Sequence, residues 1–522
     1  MFINVTIKTI KTKSRSVTMS TNTSLKTYTK KERNMYLTGL LGQNILYNVT
    51  NVLLVSYFLQ NVLYIPAIVV SVIIAIARVW DAFNDPIMGT IVDKTRTKWG
   101  KCRPYLLFTP IPVMVISILC FLNFGYDPMM GIFEGRNAFV VIWAGFTYIL
   151  WGMLYTAGDI PLWGITALMT EDEKHKQKLI SLARMAAGVG GGVAVLGLQP
   201  FALAMSDVLG SERWGFFAAG LAASVIGAIL FQFAGIGTRE KIQPSEKKYT
   251  VKENFKLMWS NKPFRQILLS GLLNAPSQLM MNVAFTLVTY YYSGKNAIMT
   301  LVYIALLGGG LFVGQFVAMA LVPKLLEKTT KKKLYNGSKI ISVVPQLMIF
   351  VLYVLFPTQL TSWPLLIATA LLFTVCGVSM GLVSVLQSLM ISDAVDYEEY
   401  HNGIRPDGVF FSGQTFLVKI SSGLATIIYG ALCTLVGFTD QNIANLDKFI
   451  ADGGVFREAL ATNEQYWGFA AMLFFCMSVP PAIGALLSVI PTWKYCLDDD
   501  EHNRILTELN KRRRNKEADE TK

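Results

Sequence analysis

Six ionisable residues of this 522-residue chain stand inside otherwise apolar stretches: Arg78, Asp81, Asp85, Asp159, Arg184 and Lys419. If those stretches cross lipid, each charge costs about 2.5–3.5 kcal/mol unless it is paired or faces water. Asp81 and Asp85 are four residues apart, so on a helix they share one face and their carboxylates converge. Two anions that close repel unless a cation or a proton lies between them, and hard oxygen ligands suit Na⁺, Li⁺ or H⁺ better than a transition metal. The same spacing also fits a pair at a helix end bonded to Arg78, Lys94 or a neighbouring helix. Asp159 and Trp163 repeat the four-residue spacing with a carboxylate and an indole. A carboxylate accepts from hydroxyl groups, and an indole face carries the apolar C–H face of a pyranose, which together is the chemistry of sugar recognition. Arg184 offers a planar fork to sugar hydroxyls or to Asp159; the plainer alternative is an Asp159–Arg184 ion pair with Trp163 turned to lipid. Lys419, from the far half of the chain, can neutralise the three aspartates when no cation is bound, or else snorkel to a surface.

Other chemistries have no foothold in the sequence. Histidine occurs only at positions 175, 401 and 502, all in predicted polar segments, and none lies in an apolar stretch. A histidine proton relay across a membrane is therefore not expected. No phosphate-cradling glycine loop, metal-spaced Cys/His set or nucleophile elbow is present, so the expectation is no enzyme and no cofactor, with uphill movement driven by an ion gradient.

The elements that must hold these residues are membrane helices. Hydrophobic residues make up 53% of the chain and charged residues 16%, with mean hydropathy +0.44, too apolar for a water-soluble protein of this length. A helix needs about 20 mostly apolar residues to cross roughly 30 Å of hydrocarbon. Twelve stretches satisfy that, near 36–64, 66–92, 104–123, 138–169, 179–206, 214–237, 264–293, 298–323, 336–356, 363–392, 409–438 and 466–492. Each run is continuous rather than alternating, which selects helices over barrel strands. Lys and Arg number 38 in the segments on one side of these spans and five on the other, which predicts both termini in the cytoplasm of a multi-pass inner-membrane protein. The net charge of +13 thus reads as topology and lipid-facing charge rather than a nucleic-acid surface. The six cysteines show no paired spacing and read as reduced. Residues 1–35 read as a basic, disordered extension without a signal peptide, with Met19 an alternative start.

Six spans (36–237), a polar loop (238–263), six more spans (264–493) and a charged tail (494–522) give two pseudo-symmetric six-helix bundles flanking a cleft, an all-α polytopic fold. The loop after the second span, Gly89-Thr-Ile-Val-Asp93-Lys94, resembles the loop signature of the major facilitator superfamily, and an equivalent basic loop runs from Pro323 to Lys333. The acidic stretch 393–407 is expected to pair with the basic loop 94–103 as a cytoplasmic gate, with Asp93, Arg96, Asp393 and Asp396 as its members. Glycine clusters at 188–192 and 308–314 allow either sliding of helices across the two halves or plain tight packing.

Read together, Arg78-Val-Trp-Asp81-Ala-Phe-Asn84-Asp85-Pro86-Ile-Met-Gly89 and Lys98-Trp-Gly-Lys101-Cys-Arg-Pro104 closely resemble the signature of the glycoside-pentoside-hexuronide:cation symporters. The likeness continues through Asp159-Ile-Pro-Leu-Trp163, Arg184, Asp393-Ala-Val-Asp396-Tyr-Glu-Glu399 and Gln414-Thr415-Phe-Leu-Val-Lys419, in both halves. It implies a major facilitator fold, usually monomeric, that moves a sugar together with Na⁺, Li⁺ or H⁺. It further implies that Asp81 and Asp85, helped by Asn84 and Thr156, hold the cation. Asp159, Trp163, Arg184, Gln414, Thr415 and Asn44 would take the sugar, and Lys419 would couple the two sites. The chain departs from melibiose-transporting members in Gly42-Gln43-Asn44, Asn51 and Ser384, where those carry a Lys-Asp pair, a Tyr and a Trp. An α-galactoside substrate is therefore not implied. The rival expectations are a lysolipid or organic-anion symporter of the same fold and a non-transporting sugar sensor.

Overall fold

The computed structural model describes residues 25–63, 65–122, 124–127, 130–242, 251–437 and 440–520. Among them, twelve helical rods follow one another: α1 (Lys30–Asn48, continued in a wider π-helical turn over Val49–Val62), α2 (Ala67–Lys94), α3 (Arg103–Phe108 and Pro110–Cys120), α4 (Gly135–Gly164, continued by Ile165–Ala167), α5 (Glu173–Leu209) and α6 (Glu212–Gly237) in the first half. The second half holds α7 (Lys262–Leu273, continuing in segments to Tyr292), α8 (Ala297–Tyr303, continuing in segments to Leu326), α9 (Lys331–Leu355), α10 (Trp363–Asn402), α11 (Asp407–Leu435) and α12 (Glu464–Trp493). The two-bundle, twelve-span architecture expected from hydropathy is present, and seven of the helices are long and apolar enough on their own to cross a membrane. Each half has its own apolar core, one drawing on α1 to α6 and one on α7 to α12. A third apolar cluster at the end that carries both termini joins Ala167 and Ile180 of the first half to Phe264, Phe410 and Leu389 of the second. We call this end the basic end, since most of the lysines and arginines lie there.

Small residues set how closely the rods approach. A β-carbon on Gly42 would fall 2.5 Å from the Gly227 carbonyl, which brings α1 against α6. Gly314 meets the Thr374 carbonyl in the same way, so this glycine serves α8–α10 packing inside one half. Gly188 is different: its nearest neighbour is the Phe316 ring across the two halves, at 2.9 Å. The halves come closest where Gly89 of α2 and Gly408 of α11 face each other, each 2.6 Å from the other's carbonyl oxygen if given a β-carbon.

Three polar segments are more ordered than composition alone predicts. The extension expected to be disordered is tied down from residue 26: the Lys26 amide donates to Glu171 at 3.0 Å, Thr170 to Thr27 at 2.9 Å, and the Tyr28 hydroxyl to the His175 carbonyl at 3.0 Å. Thr29 then caps α1 reciprocally with Glu32, which satisfies two otherwise orphaned amides. Residues 1–24 lie outside the described residues. The middle loop, described except for 243–250, contains a helix, Val251–Ser260, and ahead of it Glu240 accepts from the amides of Lys101, Cys102 and Arg103 at 3.0, 2.7 and 3.2 Å. That carboxylate closes the exposed amide end of α3. The tail forms α13 (Asp499–Glu520), which buries His502, Ile505 and Leu509 and packs along α10.

Candidate functional site

Helix α2 carries Asp81 and Asp85 one turn apart, and α11 crosses it from the other half with Lys419 directed between them. The Lys419 ammonium lies 2.9 Å from Asp85 Oδ2, 3.0 Å from Asp85 Oδ1 and 3.2 Å from Asp81 Oδ2. Thr156 of α4 completes the group by donating to Asp85 Oδ1 at 3.0 Å. Asp85 is fully buried and Asp81 is 6% exposed, whereas the Lys419 side chain keeps 16% of its surface open. Arg78 reaches Asp81 only at 3.5 Å. The pair is thus bonded to Arg78 and, more closely, to one ammonium from a helix of the opposite bundle. Of the residues expected to hold a cation, Asn84 stands apart, its buried amide nitrogen having no partner among the described residues.

Pro86 follows Asp85 and Pro161 follows Asp159 by two, both inside their helices. Each removes one amide donor from the helical ladder beside its aspartate.

A second group lies beside the first, toward the basic end. Asp159 is held by Gln43, whose amide donates to Asp159 Oδ1 at 2.7 Å and also contacts the Tyr155 hydroxyl, and by Thr415 of α11, which donates to Asp159 Oδ2 at 3.4 Å. Trp163 faces the Asp159 carboxylate one turn on. Arg184 of α5 does not pair with Asp159 as one expectation had it. Its guanidinium sits over the Trp163 ring, 4.0 Å from the ring centre, and it donates to Ser388 Oγ of α10 through Nε at 3.1 Å and Nη2 at 2.6 Å. Gln414 donates to the same Ser388 Oγ at 3.1 Å. Asn44 stays on its own helix, donating to the Leu40 carbonyl at 3.0 Å and to Gln43 Oε1 at 2.8 Å. Sequence reasoning missed two members of this group. Gln43 was visible as the replacement for a charged pair, and Ser388 lies one turn beyond Ser384, whose carbonyl it contacts at 3.1 Å.

The basic end is closed across the halves by buried ion pairs: Lys101 of the 94–103 loop meets Asp407 of the acidic stretch as expected, whereas Arg96, Asp393 and Asp396 find other partners. Asp93 of α2 accepts from the amides of Gly408 and Val409 at 3.0 and 2.8 Å, capping α11, and from Lys101 at 2.8 Å. Lys101 also reaches Asp407 at 2.7 Å. Burial alone would push this ammonium down, yet the Asp407 and Asp93 carboxylates outweigh burial and hold it above the usual lysine range. Asp393 and Asp396 draw their cations from helices α9 and α5 and from the α10–α11 linker instead of from the 94–103 loop: Lys331 meets Asp393 at 2.6 Å, and Lys176 and Arg405 meet Asp396 at 3.0 and 2.8 Å. Glu173 joins them through Lys331 at 2.7 Å, and the tail contributes His502, 3.3 Å from Asp396, and Arg513, 2.6 Å from Glu399. Arg96 turns back on its own loop and donates to the Asp93 and Thr95 carbonyls at 2.6 and 2.8 Å.

A family model described as MFS/sugar transport protein matches residues 35–499. The isoprimeverose transporter of Lactiplantibacillus pentosus is 27% identical over 385 residues, 73% of this chain and 75% of that one. The inner membrane symporter YicJ of Escherichia coli (strain K12) is 28% identical over 429 residues, 81% of this chain and 87% of its own. In fold, the chain is similar to the major facilitator superfamily transporter FucP in its outward conformation, with a TM-score of 0.56 at 12% identity over 89% of this chain and 98% of that one.

Proposed function

We propose that this chain, which belongs to the MFS/sugar transport protein family, is a cation-coupled sugar symporter that works by alternating access. It is a multi-pass membrane transporter of the sugar-carrying kind; the coupling ion, the order of events and the inner-membrane location, with the basic end cytoplasmic, belong to the proposal. The observation that carries it is the Lys419 ammonium between Asp81 and Asp85. A monovalent cation in that position would meet the same carboxylate oxygens and the Thr156 hydroxyl, which accounts for two aspartates in an apolar rod. Support for symport also comes from the relatives, one named as a sugar transporter and one as a symporter.

In this reading Na⁺, Li⁺ or H⁺ displaces Lys419 from the carboxylates. The displaced ammonium no longer ties α11 to α2, and Asp159, one turn beyond Thr156 on α4, is left to accept from a sugar hydroxyl. The sugar ring lies near Trp163 and Arg184, with Gln414 and Thr415 reaching it from the second half. By linkage, whatever the cation adds to sugar affinity the sugar adds to cation affinity. No resident cofactor is required, and one chain holds both groups, so a monomer suffices.

The direct test is uptake of a sugar panel, including β- and α-linked disaccharides and pentosides, into vesicles under imposed Na⁺, Li⁺ or pH gradients. Accumulation of at least one sugar that collapses when all three gradients are removed is expected. Uptake of a lysolipid or an organic anion in place of any sugar, or binding without counterflow, would replace this reading with one of its rivals. Within the sugar group, Ser388→Ala removes the acceptor shared by Arg184 and Gln414. Loss of a hydrogen bond to a charged group is worth about 1.5–3 kcal/mol, so half-saturating sugar concentration should rise by about 10- to 100-fold with the cation requirement unchanged.

A further inference from the structure

Lys339 is a charged residue in the spans that the transport scheme leaves unused. It lies in α9 and is 2% exposed, yet among the described residues no carboxylate lies within ion-pair distance of it. Its ammonium donates to Ser270 Oγ at 2.8 Å and sits 4.1 Å from the centre of the Tyr335 ring. Ser270 passes its own proton to the Ser488 carbonyl at 2.6 Å, so it is fixed as an acceptor for the lysine. An ammonium has three donors and no acceptor, and one hydroxyl with one ring face leaves it short of both hydrogen bonds and counter-charge. The other buried lysines described above each have a carboxylate; Arg184, like Lys339, has a hydroxyl and an aromatic ring.

A cavity of about 70 Å³ opens beside this ammonium, between α7, α9, α10 and α11. Its wall includes Lys339, Asn274, Gln278, Gln387 and Ser421. The amides can turn their N–H groups inward, and Ser421 can donate its proton, so the wall offers neutral donors around one positive charge and no negative charge at all. That is the inverse of the cation site on α2. Gln387 precedes Ser388, the residue on which Arg184 and Gln414 converge, and Leu417 of the cavity wall lies between Thr415 and Lys419. The cavity therefore backs directly onto the layer where the two halves exchange partners.

We propose that this cavity binds a small monovalent anion, chloride-sized or a short carboxylate, on Lys339 with the surrounding amide and hydroxyl donors. The anion supplies the counter-charge that the protein omits, and it steadies α9 against α7 and α10. A buried cation without a counter-charge destabilises the bundle, so the empty form is the less stable one.

The test uses the full-length protein in detergent, at fixed Na⁺ and ionic strength, with chloride, bromide, nitrate or acetate exchanged against bulky gluconate. The wild type is expected to melt several degrees higher in the small anions, saturably with concentration, and Lys339→Met to lose that dependence while melting at one anion-independent temperature. Gln387→Leu and Ser421→Ala, which leave the lysine in place, should shift the half-saturating anion concentration upward. A wild type that melts at the same temperature in chloride and gluconate overturns the proposal. So does a Lys339→Met protein that keeps the wild-type anion dependence, because the effect would then belong to another surface. Should Lys339→Met not be obtained folded, the Gln387 and Ser421 variants decide: an unchanged half-saturating concentration in both counts against the site. The readout needs neither sugar nor a gradient, so it stands apart from the transport assay.

Discussion

Asp85→Asn is expected to abolish cation-driven accumulation of the sugar while leaving the protein folded and in the membrane. Asp85 is the carboxylate that both Lys419 and Thr156 reach, and it has no exposed surface. Removing one charged partner from such a buried set costs about 3–5 kcal/mol, so apparent cation affinity should fall by about 10²- to 10³-fold. The amide is close to the carboxylate in size, and Lys419 keeps Asp81 at 3.2 Å, so gross unfolding is not the expected cause of the loss. The opposite substitution supplies the control. Lys419→Met leaves two facing carboxylates with no balancing ammonium, so cation affinity should rise while sugar exchange slows. Sugar binding and counterflow measured across a Na⁺ and Li⁺ series, with surface expression normalised, distinguish the two outcomes. Equal cation dependence in Asp85→Asn and wild type would remove Asp85 from the ion's path.

Lys101→Met should open the basic end. Lys101 is 1% exposed in its side chain and bridges Asp93 of the first half to Asp407 of the second, and Asp407 has no exposed side-chain surface. Without it two buried carboxylates face each other across the seam. At about 3–5 kcal/mol for a broken buried pair, the closed form loses about 10²- to 10³-fold in relative population. Cys102 reports this directly. It is fully buried beside Gly164 and Asp407, and burial pushes its thiol well above the usual cysteine range, so in the closed form it should resist maleimide. In a background lacking the exposed Cys496, labelling of Cys102 from the basic side should rise sharply in Lys101→Met, and net uptake should drop because the seam no longer seals. Unchanged labelling would mean that Asp93, through its two amide bonds to α11, closes the end by itself.

What could be read from the chain and what could not separate along a physical line. The twelve rods were legible because spanning lipid demands a length and an apolarity that few other structures need. Asp81, Asp85, Asp159 and Lys419 stood out because a charge in hydrocarbon is rare, and the rule that makes it rare also requires a partner to exist. The identity of the partner is a tertiary fact. Asp393 and Asp396 were expected to meet the 94–103 loop, but Lys176 and Lys331 from helices, and Arg405 from the α10–α11 linker, reach them first, and no local pattern encodes those approaches. Gln43 and Ser388 escaped notice because neutral polar residues are common in membrane helices and cost little there. Lys339 was passed over near the basic end of its span, where a lysine ordinarily reaches water. The tail looked like a solvated charge run, since only His502, Ile505 and Leu509 on one face reveal that it docks.

The seam at the basic end joins an apolar cluster to buried ion pairs, and that combination gives the protein a characteristic response to heat. Contact between apolar surfaces weakens on cooling, whereas the hydration that charged groups surrender on pairing becomes less favourable to keep as temperature rises. Closure through the pairs Lys101–Asp407, Lys176–Asp396 and Lys331–Glu173 therefore tightens with warming, and the seam is at its loosest in the cold.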